Sequence, residues 1–326
     1  MKVLAGDIGG TRSRFAIVEV DGIRLDARYE KAFRSKDYGD LEQVLAEFVD
    51  GTDIPFESAC FGIAGPILNG RCIATNLPWH IDPDRVQSSL ALQSVRLIND
   101  LAANALGIQA LSEKDLYLVN PGRADRQGNA CIIAAGTGLG EAGMFWDGEH
   151  YQPFPSEGGH CDFAPSCDFD YQLQQFLATR FGHVSWERVV SGMGIVNIFE
   201  FLCAQNHEPE PDWFKIEKER GDAASAIAET ARSKQDRLCL ETLEHFLRYY
   251  GAEAGNLALK TMATGGIYVG GGIAPKLIRL FQRNTFFEAL TAKGRMQNLL
   301  SEMPVKVILN DRTALFGAAI RAANPV

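Results

Sequence analysis

Two short glycine turns carry residue types suited to holding phosphate. The first is Gly6-Asp7-Ile8-Gly9-Gly10-Thr11, set between two apolar runs. Glycine admits positive φ and lets peptide N–H groups approach an anion closely. The Thr11 hydroxyl adds a donor, and Asp7 is of the type that holds a hydrated Mg2+ beside phosphates. An ordinary hairpin turn would use the same glycines; the acid upstream and the threonine downstream favour phosphate. The second turn is Gly136-Thr137-Gly138-Leu139-Gly140. From Gly138 to Gly143 it matches the dinucleotide fingerprint letter for letter. That fingerprint opens a helix, whereas residues 142–147 read as a strand. With no Walker lysine motif in the chain, the pattern that fits is a strand–glycine–strand phosphate clamp built on the amides around Gly136, Thr137 and Gly138.

These turns need rigid elements to hold them. Residues 3–8 and 13–20 are rich in Val, Ile and Phe and read as a hairpin. Residues 41–48 have helical spacing in Leu41, Val44, Leu45 and Phe48. Residues 59–64 and 95–98 suit buried strands, the second running through Asn99-Asp100 into a helix at 102–108. Residues 130–135 and 142–146 flank the second turn. From 168 to 260 the pattern is mostly helical, with Leu243, Phe246, Leu247, Tyr250, Ala254 and Leu257 on one continuous apolar face. A strand at 266–269 enters Gly270-Gly271-Gly272-Ile273, Pro275 begins another helix, and a strand at 305–309 and a helix at 314–322 follow. Interleaved strands and helices make an α/β protein. Two glycine hairpins about one domain apart suggest two related halves, with ligands bound where they meet.

The whole chain narrows the function further. At 326 residues it exceeds a single core, so two domains are expected. Its 46% apolar and 22% charged content is ordinary for a globular protein. A net charge of -9 argues against nucleic acid, whose sites need a basic face. Seven scattered cysteines suit reduced thiols in a cytoplasmic compartment better than a disulfide framework. The first residues meet an acid and glycines too soon for a signal peptide. The apolar stretch 256–273 is too interrupted by Lys260 and glycines to span a bilayer.

Further strings complete a pattern: Ile98-Asn99-Asp100, Pro155-Ser156-Glu157-Gly158-Gly159-His160, Asp162-Phe163-Ala164-Pro165, Gly182 to Val189 with Ser191-Gly192, and Gly270-Gly271-Gly272-Ile273. Together with the two glycine turns, in this order, they resemble the bacterial glucokinases of the enterobacterial type, within the actin-like ATPase superfamily. The resemblance implies a two-domain actin-like (ribonuclease H-like) α/β fold with a ligand cleft between the domains. Residues 1–108 plus 311–326 would form the small domain and residues 109–310 the large one. It also implies homodimers, ATP with Mg2+, and phosphorylation of D-glucose. Carried over by position, Asn99, Asp100, Glu157, His160 and Glu187 correspond to the glucose site. Gly6, Asp7, Ile8, Gly9, Gly10 and Thr11 with Gly136, Thr137 and Gly138 correspond to the phosphate clamp, and Gly271 and Gly272 to the adenosine segment. The chain departs from the family at Arg12-Ser13, where Asn is common after Thr11, although Arg14 matches. Gly65-Pro66 replaces a Cys-Pro of some members.

A sugar is a ring of hydroxyls, and these five side chains supply the acceptors it needs. In phosphoryl transfer the protein contributes mainly position and charge. Asp100, ending an apolar strand, would take the proton of the attacking hydroxyl; Asn99-Asp100 is equally suited to cap a helix, and the two roles are compatible. Glu187 alone reads as a solvated helix residue, and His160 alone as a structural histidine. His160, Cys161 and Cys167 lack the spacing and the fourth ligand of the structural zinc of the related repressor-and-sugar-kinase family, so no zinc is expected. A kinase for another hexose or amino sugar, and a non-catalytic sugar-responsive regulator, remain as alternatives. The regulator would need a basic helix-turn-helix, and none is legible.

Overall fold

Strand β1 (Lys2–Ile8) is almost wholly buried, as expected of a strand covered on both faces. The computed structural model describes residues 1–324 apart from 66, 69, 75, 76, 124 and 126. β2 (Arg12–Asp21) returns antiparallel to β1 with Ile8 opposite Ser13, so residues 9–11 form the hairpin turn that the apolar spacing predicts. β3 (Arg24–Arg34) extends this edge. On the other side β4 (Ser58–Ile63) runs parallel to β1. A small antiparallel meander follows, made of β5 (Ile67–Leu68), β6 (Arg71–Ile73) and β7 (His80–Ile81). β8 (Ser94–Asn99) then lies parallel to β4, giving the order β3-β2-β1-β4-β8.

Side chains alternate across a strand, and β1 divides accordingly. Leu4 and Ile8 pack with α1 (Leu41–Asp50), which buries Leu41, Val44, Leu45 and Phe48. Val3 and Ala5 pack with Leu315, Ala318 and Ala319 of the C-terminal helix Thr313–Ala323. After α2 (Pro83–Leu90) and β8 comes α3 (Asp100–Gly107). It crosses the C-terminal helix at two glycines: a Cβ on Gly107 would lie 1.9 Å from the Thr313 carbonyl oxygen, and one on Gly317 1.7 Å from that of Ala103.

The chain divides into two compact units, and these elements belong to the first, which comprises Met1–Leu116, His150–Pro155 and Asn310–Val326. The second contains Tyr117–Glu149 and Ser156–Leu309. After β9 (Leu116–Asn120), its central strand β10 (Ala130–Ala135) pairs antiparallel with β11 (Leu139–Trp146). Past β12 (Tyr151–Ser156) come the helices α4 (Asp168–Phe181), α5 (Gly192–Gln205), α6 (Asp212–Arg220), α7 (Ala223–Lys234) and α8 (Arg237–Thr261). β13 (Gly266–Gly270) then runs parallel to β10, and β14 (Val305–Ile308) parallel to β13.

The face of α8 that its spacing singles out is buried throughout. On that face the fully buried Tyr250 hydroxyl accepts the Ala135 N–H at 3.1 Å and donates to the Gly270 carbonyl at 3.0 Å. It thereby pins the ends of β10 and β13, where two glycine segments begin. Pro275 opens a 3-10 turn, Pro275–Leu277, before the short helix Ile278–Phe281. Residues 139–146 are one strand, so Gly138, Gly140 and Gly143 do not open a helix. Among the described residues no helix is long and apolar enough to cross a membrane.

Candidate functional site

In the first unit, the parallel registers place Ile8, Ile63 and Asn99 in one row. The turn after β1 and the residue after β8 therefore leave the same sheet edge, two strand spacings or about 10 Å apart. Ligands of parallel α/β sheets bind at this carboxyl end. The Gly9 N–H bonds the Arg12 carbonyl at 3.1 Å, closing the turn. Ser35 braces it from outside: its hydroxyl donates to the Gly9 carbonyl at 2.7 Å, and its N–H bonds the Thr11 carbonyl at 3.1 Å. Ser13, one of the departures noted above, is fully buried against Ser35, oxygen to oxygen 2.9 Å. Arg12 points outward and is exposed.

Neither Gly9 nor Gly10 has a positive φ. The expectation that these glycines serve a left-handed turn is corrected by their surroundings. A Cβ on Gly6 would meet the Phe61 ring at 2.5 Å, and one on Gly9 the Arg12 carbonyl oxygen at 3.0 Å. Close packing is what demands glycine here.

Asp7 faces Arg14 across the hairpin. Half-screened by area yet enclosed by protein, its carboxyl is pushed up to about 6 by burial, which the Arg14 guanidinium opposes. Arg14 is held in turn: Nη2 donates to Asp311 Oδ2 at 2.7 Å, and Nε stands 3.6 Å from Glu30 Oε1. Arg312 closes the network on Glu30 Oε2 at 3.2 Å. The sequence gives no signal for Asp311, which is 297 residues from Arg14.

Asn99 caps α3, its Oδ1 accepting the Leu101 N–H at 2.9 Å. The helix accordingly starts at Asp100 rather than at 102. Asp100 is half-buried in the first turn, its Oδ1 3.0 Å from the Leu101 nitrogen. A Cβ on Gly62 would lie 2.8 Å from that of Ala103, so α3 is seated directly on β4. Cys72 of β6 is near enough to the Asp100 carboxylate for that charge to help burial raise its thiol. Pro66 lies outside the described residues.

In the second unit, the glycine turn after β10 is closed by the Gly136 N–H bonding the Gly138 carbonyl at 2.9 Å. The Gly136 carbonyl accepts the Gly192 N–H at 2.8 Å, tying the turn to the start of α5. Thr137 is exposed at the tip. Gly271, at φ 80, is the one site glycine that uses the left-handed region. A Cβ there would lie 2.2 Å from the Ala135 carbonyl oxygen, so the segment after β13 is pressed against the end of β10. Gly272 is exposed beside it.

Glu187 sits in the 3-10 turn Trp186–Arg188 and is half-buried, not a solvated helix residue. Its Oε2 accepts the Leu139 N–H at 3.0 Å and lies 2.4 Å from where a Gly138 Cβ would be. Glu157 precedes the 3-10 turn Gly158–His160 and His160 ends it; both are exposed, with Glu157 Oε2 4.0 Å from His160 Nε2. The Trp186 N–H bonds the Cys161 carbonyl at 3.0 Å, and the Phe163 N–H bonds that of Val184 at 2.9 Å. These bonds bring the Glu157–His160 segment and the Glu187 segment together. Oxygen acceptors thus stand beside a glycine turn, an arrangement suited to a polyhydroxylated substrate and a phosphate.

Comparisons with known proteins agree along the whole chain. Residues 4–325 match the family model described as Glucokinase. The glucokinase of Nostoc punctiforme is 44% identical, with 98% of each chain covered. Among solved structures, the glucokinase of an Antarctic psychrotroph matches with a TM-score of 0.87 at 31% identity, over 99% of both chains. That of Balamuthia mandrillaris, solved with glucose, matches with a TM-score of 0.79 over 99% of this chain and 94% of that one. At 18% identity it bears on the fold alone.

Proposed function

The chain belongs to the glucokinase family, with the actin-like fold of its structural relatives, and catalyses phosphorylation of glucose by ATP; from that premise we propose that Asp100 is the base taking the proton from the attacking hydroxyl. The single observation that carries this assignment is the row Ile8–Ile63–Asn99. It sends the Asp100 carboxylate and the first glycine turn out of one sheet edge, so a hydroxyl at the acid can face a phosphate at the turn. Asn99 and Asp100 are assigned to the sugar as well.

Glu157, His160 and Glu187 supply acceptors and a donor for the remaining hydroxyls. Glu187 spends one oxygen on the Leu139 N–H and has the other for the sugar. The amides of Gly10 and Thr11, and of Thr137 and Gly138, take the phosphates, where fixed donors stabilise developing charge, while the Gly9 and Gly136 N–H groups close the two turns. Gly271 and Gly272 form the adenosine side, where the missing side chains admit a flat ring close to backbone.

Mg2+ fits Asp7. The carboxyl is a hard oxygen donor, and the burial that raises it to about 6 is a penalty that a nearby cation removes. A magnesium ion held there through water would neutralise phosphate charge. We also take the enzyme to be cytoplasmic and a homodimer, as the family resemblance implies; sedimentation of the purified protein at the monomer mass would refute the dimer.

Asp100→Asn tests the base. Calorimetry should find glucose affinity largely kept, while kcat falls by about 10²–10⁴-fold. Near-normal turnover would remove Asp100 from the role. Thermal shifts with individual hexoses test the substrate, glucose being the sugar expected to stabilise the protein most.

A further inference from the structure

The turn that carries Glu157 and His160 rests on one carboxyl group, itself beside a second, and the reaction above uses neither. Glu141 of β11 is 2% exposed and Glu253 of α8 is fully buried. Gly158 sits so closely on Glu141 that a Cβ there would lie 2.0 Å from its Oε2. Among the described residues neither Glu141 oxygen has a hydrogen-bond partner, nor has Glu253 Oε1. Glu253 Oε2 accepts from Asn256 Nδ2 at 2.7 Å, and Asn256 Oδ1 accepts from Lys293 Nζ at 2.7 Å. Lys260 Nζ stands 3.6 Å from Glu253 Oε1.

A buried carboxylate without a donor is costly, and two in contact cost more. One proton shared between them turns an orphaned acceptor into a donor and removes the repulsion. Burial and the neighbouring Glu253 charge both raise the proton affinity of Glu141, with Lys260 opposing; burial raises Glu253 as well. The other titratable groups facing Glu141 are Cys131 on β10 and Tyr250 on α8, both kept neutral by burial. Burial also lowers Lys293, whose Nζ bonds the Asn256 amide oxygen.

We propose that Glu141 is a positioning residue for the sugar site: its carboxyl, held protonated by contact with Glu253, seats the Gly158–His160 turn. The inference rests on the reading that Glu157 and His160 contact the sugar. Loss of the shared proton leaves Glu141 charged against that turn and repelled by Glu253, so glucose affinity falls as pH rises while the phosphoryl-transfer step is little affected.

The test is glucose KM and kcat of the full chain from neutral to about pH 9.5, beside melting curves of the sugar-free protein. Wild-type KM should rise by roughly fivefold or more, with kcat nearly constant, on the scale of a site-coupling effect. Glu141→Gln carries a permanent donor and should give a flat KM profile. Glu253→Gln removes the like charge and should move the KM midpoint down by about one pH unit; it carries the test alone if the first variant does not fold. A Glu141→Gln profile that rises like the wild type, or an unmoved midpoint in Glu253→Gln, overturns the proposal. If Glu141→Gln flattens the melting curve's pH dependence but not that of KM, the pair exists and positions nothing. If Glu157→Gln and His160→Ala leave KM unchanged, the sugar-site reading itself fails, whatever the melting curves do.

Discussion

The crossing of α3 with the C-terminal helix makes Gly317→Ala a demanding test of how Asp100 is held. The added methyl would lie 1.7 Å from the Ala103 carbonyl oxygen and 2.8 Å from the Gly107 nitrogen. Ordinary contact is about 3.5 Å or more, so the helices must part by roughly 2 Å. Alanine recovers about 1 kcal/mol of helix propensity. Overpacking costs about 1–3 kcal/mol, and the upper end applies here because the methyl meets backbone that cannot rotate away. A net loss of about 2 kcal/mol is expected from guanidinium denaturation. The same displacement acts on catalysis, because Asp100 begins the helix that Ala103 belongs to. A misplacement of about 1 Å can cost 10²-fold in rate, so kcat should fall by about that factor with glucose affinity less changed. A variant as stable and as active as the parent would refute the reasoning. Lost stability with an intact kcat would show that the helix crossing does not set the position of Asp100.

Tyr250→Phe removes the acceptor of the Ala135 N–H and the donor to Gly270; denaturation should show a loss of about 1–3 kcal/mol, together with a raised KM for ATP. Glu187→Ala strands the Leu139 N–H and should raise glucose KM by about tenfold or more, the scale of a charged hydrogen bond; unchanged kinetics would exclude Glu187 from the site. Asp311→Ala removes a side chain that is itself 78% exposed, so stability should change by less than about 1 kcal/mol, while releasing Arg14 from that bond should raise KM for ATP. The Asp7 carboxyl titrates near 6 in the folded protein against 3.8 ordinarily, so its contribution to stability is full below about pH 4 and is lost as pH rises through 6. Asp7→Asn should abolish that slope in melts without nucleotide and abolish turnover; an unchanged slope would count against the raised carboxyl.

The elements around the site were legible because their causes are local. The Val-, Ile- and Phe-rich runs at 3–8 and 13–20, with a glycine turn between them, announce the hairpin, and the helical spacing from Leu243 to Leu257 announces the buried face of α8. The glycine turns and Asn99-Asp100 were legible as chemistry, because anion binding and helix capping depend on a few consecutive residues. What those glycines are for was not. Positive φ is a local property and was the natural guess, yet Gly6, Gly138 and Gly158 are required by Phe61, Glu187 and Glu141, side chains brought against them from distant points of the chain. The same holds for Ser13 on Ser35, Arg14 on Asp311, Tyr250 bridging β10 and β13, and Glu141 with Glu253. Each pair exists only once sheets have aligned their strands and helices have docked, and no periodicity within one segment encodes which distant side chain will arrive. The order and type of the elements are therefore properties of the sequence, whereas the bracing and protonation of the site arise from packing.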